Sequence, residues 1–183
     1  MKFLLIFFLL IGSLLADRDG GPYLGFGYGI SIYNDDGLNQ KLIEEDSNSM
    51  IFYAGAYINK HLSVELGYID FNTNGSNFIA LNDSINNISI STTTISTLAH
   101  YQFFNDKLDF YGKFGAGELN QSGIKTEGFT LVYGVGAGYR FNKSIGVKIA
   151  YDNYQFNYDE NSDDVADYRM KIDSFYGAIE VQF

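Results

Sequence analysis

A chain of 183 residues carrying 12 basic and 22 acidic side chains is the size of one domain, and its charge excludes a nucleic-acid partner, because phosphate binding needs clustered Lys and Arg. It contains no cysteine, which excludes a disulfide framework and any thiolate-ligated metal site. Twenty glycines, fifteen tyrosines and sixteen phenylalanines stand against a single proline, a composition suited to strands with small residues on one face and aromatic rings on the other.

Residues 1–16 have one positive charge at Lys2, an apolar run over 3–11, and then Gly12, Ser13 and Ala16. This is the layout of a secretory signal peptide cleaved near Ala16, leaving residues 17–183 as one barrel domain. The run is shorter than the ~20 residues a membrane helix needs, and with no cysteine after it there is no lipoprotein anchor.

The first predicted strand, 23–33, puts Leu24, Phe26, Tyr28, Ile30 and Ile32 on one face and Gly25, Gly27, Gly29 and Ser31 on the other. These glycines recur at every second residue and precede no helix, so they are a small-residue face and not a dinucleotide loop. Residues 34–49 are polar and read as a long loop. In the second strand, 50–58, both parities are apolar; Ile51, Tyr53 and Tyr57 are assigned outward, with Ala54 and Ala56 inward. Residues 59–61 form a short turn. The third strand, 62–71, places Leu62, Val64, Leu66 and Tyr68 outward and Ser63, Glu65 and Gly67 inward.

After an asparagine-rich loop at 72–90, the fourth strand runs over 93–104 with Ile95, Ala99, Tyr101 and Phe103 outward and His100 and Gln102 inward. A turn at 105–107 leads to the fifth strand, 108–117, where Leu108, Phe110, Phe114 and Ala116 oppose Asp109, Tyr111, Lys113 and Gly115. Residues 118–128 are a third loop. The sixth strand, 129–141, alternates most clearly, with Gly134, Gly136, Gly138 and Arg140 on its small face. After the turn at 142–144, the seventh strand, 145–154, carries Lys148 and Asp152 inward, and a fourth, acidic loop covers 155–171. The last strand, 174–183, sets Phe175, Ile179, Val181 and Phe183 against Tyr176, Ala178, Glu180 and Gln182.

Facing separates a membrane barrel from a soluble one. Glu65, Asp109, Lys113, Arg140, Lys148, Asp152 and Glu180 all share a parity with the glycines. A one-residue slip would turn them to lipid, at roughly 2–4 kcal/mol for each Arg or Lys near the midplane, which in sum rivals a typical domain stability of ~5–15 kcal/mol. The expected fold is therefore an all-β, eight-stranded antiparallel up-and-down transmembrane barrel. Tyr57, Tyr101, Phe103, Tyr139, Phe141 and Phe183 are expected to form an aromatic girdle at the short turns.

The terminal Phe183, the hydrophobic Val181 and the aromatic Tyr176 resemble the carboxy-terminal assembly signal of bacterial outer-membrane barrels, with Ala178 where a glycine is usual. Over its mature length the chain resembles the small eight-stranded barrels of the OmpA/OmpX type within the porin family. The resemblance implies a Gram-negative outer membrane, short periplasmic turns and long extracellular loops. It also implies outer-membrane lipid, lipopolysaccharide and the assembly machinery as partners. Some small barrels of this kind act on lipid A through His and Ser near the outer rim. This chain has only His61, in a predicted periplasmic turn, and His100, inward near the periplasmic end and opposite Lys113. A non-catalytic protein without cofactor is expected.

Inside, Asp109 and Arg140 are expected to pair on neighbouring strands, as are Lys148 and Glu180, with Glu65 and Lys113 joining them across the lumen, because unpaired buried charge is costly. Such an interior is either a polar plug or a narrow conduit for small solutes or ions. The loops hold Asp35, Asp36, Glu44, Glu45 and Asp46, then Asp159, Glu160, Asp163, Asp164 and Asp167. These carboxylates could take Ca²⁺ or Mg²⁺ as a bridge to anionic lipopolysaccharide, although no calcium-loop spacing is present. The segment 118–122, centred on Asn120, resembles a bacterial N-glycosylation acceptor.

Overall fold

Strands that alternate between an apolar and a small or polar face can hide the second only by curling round it. In the computed structural model the chain does this. The structure describes residues 20–34, 46–71, 78–80, 83–85, 90–121, 127–158 and 168–183. The strands are β1 Gly21–Asn34, β2 Asp46–Asn59, β3 Leu62–Asp70, β6 Ile90–Phe103, β7 Leu108–Gln121, β8 Glu127–Arg140, β9 Ile145–Tyr158 and β10 Tyr168–Gln182. They close in the order β1-β10-β9-β8-β7-β6-β3-β2, every pair antiparallel. A small hairpin, β4 Phe78–Ala80 with β5 Asp83–Ile85, lies within the second loop.

The register fixes the barrel's stagger. Starting at Gln182, the row of paired residues runs through Tyr23, Gly55, Glu65, Ser96, Gly115, Val132 and Tyr154, and returns to β10 at Ile172. One circuit therefore climbs 182 − 172 = 10 residues. This tilt brings residues distant in the register to one depth in the lumen. At the turn end, Asn59 Oδ1 accepts from His61 N at 2.8 Å and Asn142 Oδ1 from Ser144 N at 2.8 Å, side-chain turns that hold each hairpin tight. Between β6 and β7, Phe104, Asn105 and Asp106 all adopt left-handed backbone, with φ of 51°, 56° and 61°.

Most strands run 14 residues or more, beyond the ~9–11 a tilted membrane strand needs. Residues 46–49, 118–121, 127–128, 155–158 and 168–171, expected as loop, are strand. The polarity of these segments marks where the outer face leaves lipid. The backbone ladder continues past that point because it needs no apolar side chain.

The facing of β2 is opposite to that expected. Ile51, Tyr53 and Tyr57 are buried inside, while Met50, Phe52 and Ile58 are exposed. Residues paired across an antiparallel ladder share a face, and Tyr53 is paired with Gly25 on β1 and Gly67 on β3. The glycines leave room that tyrosine rings occupy: a Cβ at Gly25 would collide with the ring of Tyr53, one at Gly55 with Tyr23, and one at Gly136 with Tyr111. Tyr57 accordingly leaves the girdle, which consists of exposed Tyr101, Phe103, Tyr139 and Phe141 with half-buried Phe183. Tyr101 and Phe103 pack edge to face at 4.6 Å, as do Tyr139 and Phe141 at 5.5 Å.

Candidate functional site

The lumen has two layers of different chemistry. Toward the turn end and the middle it is charged. Lys113 on β7 reaches Glu65 on β3 at 3.1 Å and Asp152 on β9 at 2.9 Å. Lys148 on β9 meets Glu180 on β10 at 2.5 Å and Glu65 at 3.8 Å. All five groups are buried. Tyrosine hydroxyls supply the hydrogen bonds that desolvated carboxylates need: Tyr23 donates to Glu65 at 3.2 Å, Tyr57 to Glu180 at 3.2 Å, and Tyr176 and Tyr154 to Asp152 at 3.1 and 3.3 Å. The Lys148 ammonium also lies 5.0, 4.6 and 5.2 Å from the rings of Tyr23, Tyr53 and Tyr111, so aromatic faces replace its lost water.

Asp109 and Arg140 do not pair. Asp109 lies opposite Gly138 on β8 and Gln102 on β6, one inward position deeper than Arg140. Its Oδ2 accepts from His100 Nδ1 at 2.7 Å. Arg140 instead donates to Gln182 Oε1 at 2.6 Å and stacks 4.8 Å from the Tyr57 ring. His100 is opposite Tyr111, not Lys113. With its proton on Nδ1, its Nε2 accepts from the Ser63 hydroxyl at 2.8 Å. His61 stays in its turn, with Nδ1 3.4 Å from the His100 carbonyl oxygen.

Ser63, His100 and Asp109 thus stand as nucleophile, base and orienting acid do in acyl transfer. Ser63 is fully buried and is the second residue of β3, paired with Tyr57 and Leu98 on its two sides. Backbone amides committed to strand pairing cannot stabilise an oxyanion.

Beyond the charged layer, toward the loop end, the lumen carries no ion pair among the described residues, and its large side chains are apolar with the buried hydroxyls of Thr92 and Thr130 between them. Ile69 and Phe71, Ile90, Leu119, Val132, Tyr154 and Phe156, and Ile172 are buried there, contributed by β3 and the residue after it and by β6 through β10. Phe71 packs edge to face on Tyr154 at 5.3 Å. Small residues face these rings, with Ser174 within 3.2 Å of Ser31 and 3.4 Å of Ser49.

Of the expected assembly residues, Val181 faces outward, Tyr176 is turned into the lumen on Asp152, and Phe183 donates its N–H to the Pro22 carbonyl at 2.9 Å. Asn120 is exposed near the loop end of β7. Residues 1–16, Asp35, Asp36, Glu44, Glu45 and the five acids of the fourth loop lie outside the described residues, as does the side chain of Asp46. Among the described residues no group of three or more His, Asp or Glu could hold a metal ion.

A closed antiparallel barrel with an apolar outside and a charged inside is an integral membrane barrel, since only closure satisfies every backbone group in lipid. The chain belongs to the outer membrane protein beta-barrel domain family, whose model matches residues 3–183. No curated protein matches it in sequence. Among solved structures it is similar to the N-terminal β-barrel domain of Pseudomonas aeruginosa OprF, with 12% identity, a TM-score of 0.56, and 88% of this chain and 97% of that one covered. It is also similar to Ail, the attachment invasion locus protein of Yersinia pestis, with 14% identity, a TM-score of 0.56, and 90% and 99% covered. Neisserial surface protein A matches with 11% identity, a TM-score of 0.53, and 90% and 99% covered. At these identities the likeness is one of fold.

Proposed function

We propose that this protein is a sealed, non-catalytic barrel of the Gram-negative outer membrane that acts through its loop end, in envelope structure and surface interaction. The turns and both strand termini face the periplasm and the long loops face outward. The observation that carries the reading is the layer of large buried apolar side chains from Phe71 to Ile172, with only small hydroxyl residues between them, lying over the ion network. A conduit needs water along its whole length, and the polar lower half alone cannot provide it. Folded protein in a planar bilayer is expected to be electrically silent. Discrete conductance steps that change in Lys113→Gln or Arg140→Gln would overturn the sealed reading in favour of a narrow porin.

Residues 1–16 serve export, and Tyr176, Val181 and Phe183 present the signal read by the assembly machinery. The acidic loops are where a divalent cation would bridge to lipopolysaccharide. The rival enzymatic reading is favoured by one observation, the Ser63–His100–Asp109 alignment. A serine-directed fluorophosphonate is expected to leave Ser63 unlabelled in the folded barrel. A stoichiometric adduct on Ser63, absent in His100→Ala, would mean an activated nucleophile and would revive that reading.

A further inference from the structure

The chain holds five asparagines followed two positions later by serine: Asn74, Asn82, Asn87, Asn120 and Asn142. Two positions before them stand Asn72, Ala80, Ile85, Glu118 and Arg140, so Asn120 alone has an acid there. An extended chain sets every second side chain on one side. A transferase reading the unfolded segment in that form meets the Glu118 carboxylate, the Asn120 amide and the Ser122 hydroxyl in one row. A cation on the enzyme can hold the carboxylate while the amide enters the reaction site, which is the physical sense of the acid in a bacterial N-glycosylation acceptor.

The folded barrel keeps the acceptor open. Glu118 and Asn120 lie on the outer face of β7, both exposed, while Leu119 between them is turned inward and buried. Asn120 stands at the last rung of the β7–β8 ladder, and its neighbour on β6 is the small Ser91. It lies 120 − 108 = 12 residues above the first residue of β7. At ~3.3 Å per residue and a tilt of ~40°, that is about 30 Å along the barrel axis, beyond an apolar band ~25 Å tall. A sugar on Asn120 therefore stands in water, clear of lipid. Asn142 is the opposite case. It sits in the turn between β8 and β9, where its Oδ1 accepts from the amides of Ser144 and Ile145, each at 2.8 Å, and Arg140 stands in the place of the acid.

We propose that Asn120 is an N-glycosylation site that takes one oligosaccharide from a polyisoprenyl pyrophosphate donor. The amide nitrogen attacks C1 of the donor's first sugar, and the C1–N bond forms as the C1–O bond to pyrophosphate breaks. The lipid pyrophosphate leaves with the bonding pair and the amide proton passes to a base on the transferase, so no oxidant or reductant is needed. Transfer precedes folding, because in the barrel the backbone at Asn120 is tied to strands on both sides. The inference goes beyond the sealed-barrel reading and does not rest on it.

The test is expression of the full chain in cells carrying an oligosaccharyltransferase that selects an acid two positions before asparagine. The donor is an undecaprenyl pyrophosphate-linked oligosaccharide with an N-acetylhexosamine at its reducing end, and the readout is intact mass with peptide mapping. The wild type is expected to gain one glycan, on Asn120. Asn120→Gln should lose it completely, and Glu118→Gln should slow transfer about tenfold, the size of one charge-assisted hydrogen bond. Asn142→Gln should leave it unchanged. Transfer is read on the unfolded chain, so a variant that folds poorly still reports. Heat-modifiable mobility of the glycosylated wild type is expected, since the sugar lies outside the ladder. An unmodified wild type, in cells where a periplasmic control protein bearing the same five residues is modified, overturns the site. So does a glycan that persists in Asn120→Gln or transfers at full rate in Glu118→Gln.

Discussion

Lys113→Met is expected to destabilise the folded barrel by about 3–5 kcal/mol, the cost of removing one partner from a buried ion pair. Lys113 is the only cation within reach of Asp152 among the described ion pairs, and it shares Glu65 with Lys148, which stands farther off at 3.8 Å. Methionine matches the stem in size, so packing changes little and the loss is electrostatic. Asp152 would keep the hydroxyls of Tyr154 and Tyr176, but hydroxyl dipoles do not neutralise a full charge in the lumen. The measurement is the urea midpoint at which the compact, heat-modifiable species is lost. Adding Asp152→Leu to the same chain should recover part of the loss, because an apolar replacement of both partners removes the stranded charge. An unchanged midpoint in Lys113→Met would mean that the network contributes nothing to stability.

Gly25→Val should be at least as damaging, through volume instead of charge. The inward face of β1 at this position lies against the Tyr53 ring, which a Cβ would overlap. Tyr53 has no free direction in which to retreat: Tyr23 packs edge to face on it at 6.1 Å and the Lys148 ammonium lies 4.6 Å from its ring centre. Overpacking usually costs ~1–3 kcal/mol. With a locked ring on one side and the closed ladder on the other, the upper end of that range or beyond is expected. Refolding yield, scored by heat-modifiable mobility, should fall sharply for Gly25→Val. The pair Gly25→Val/Tyr53→Ala should restore most of it. If Gly25→Val folds as well as the wild type, the ring and the glycine are not the matched pair that their register implies.

The two variants mark what could and could not be read along one strand. Glycine at every second residue of β1 announced a small inward face, but the same pattern was silent on what fills the space. Tyr23, Tyr53 and Tyr111 do so, and none was expected among the site residues. Tyr53 was in fact assigned to lipid, because Met50, Phe52 and Ile58 are as apolar as Ile51, Tyr53 and Tyr57. A cross-strand rule would have found it: a large ring needs glycine opposite, and Gly25 and Gly67 flank it on both sides. Asp152 was recognised as inward yet not as the second anchor of Lys113, since the two lie two strands apart and meet only across the lumen. Asp109 and Arg140 looked matched in depth when counted from their turn, and the ladder separates them by one inward step.

The sequence by itself determined which face of seven strands is apolar, that the charged residues share the other face, and hence that the chain closes into a barrel around them. Parity is a property of one strand, and the free energy of exposing a charge to lipid reads it directly. The tertiary structure alone decided the facing of β2, the partners of each buried charge, the alignment of Ser63 with His100 and Asp109, and the apolar layer at the loop end. All of these depend on the stagger accumulated round the closed circuit, a quantity that no single strand carries.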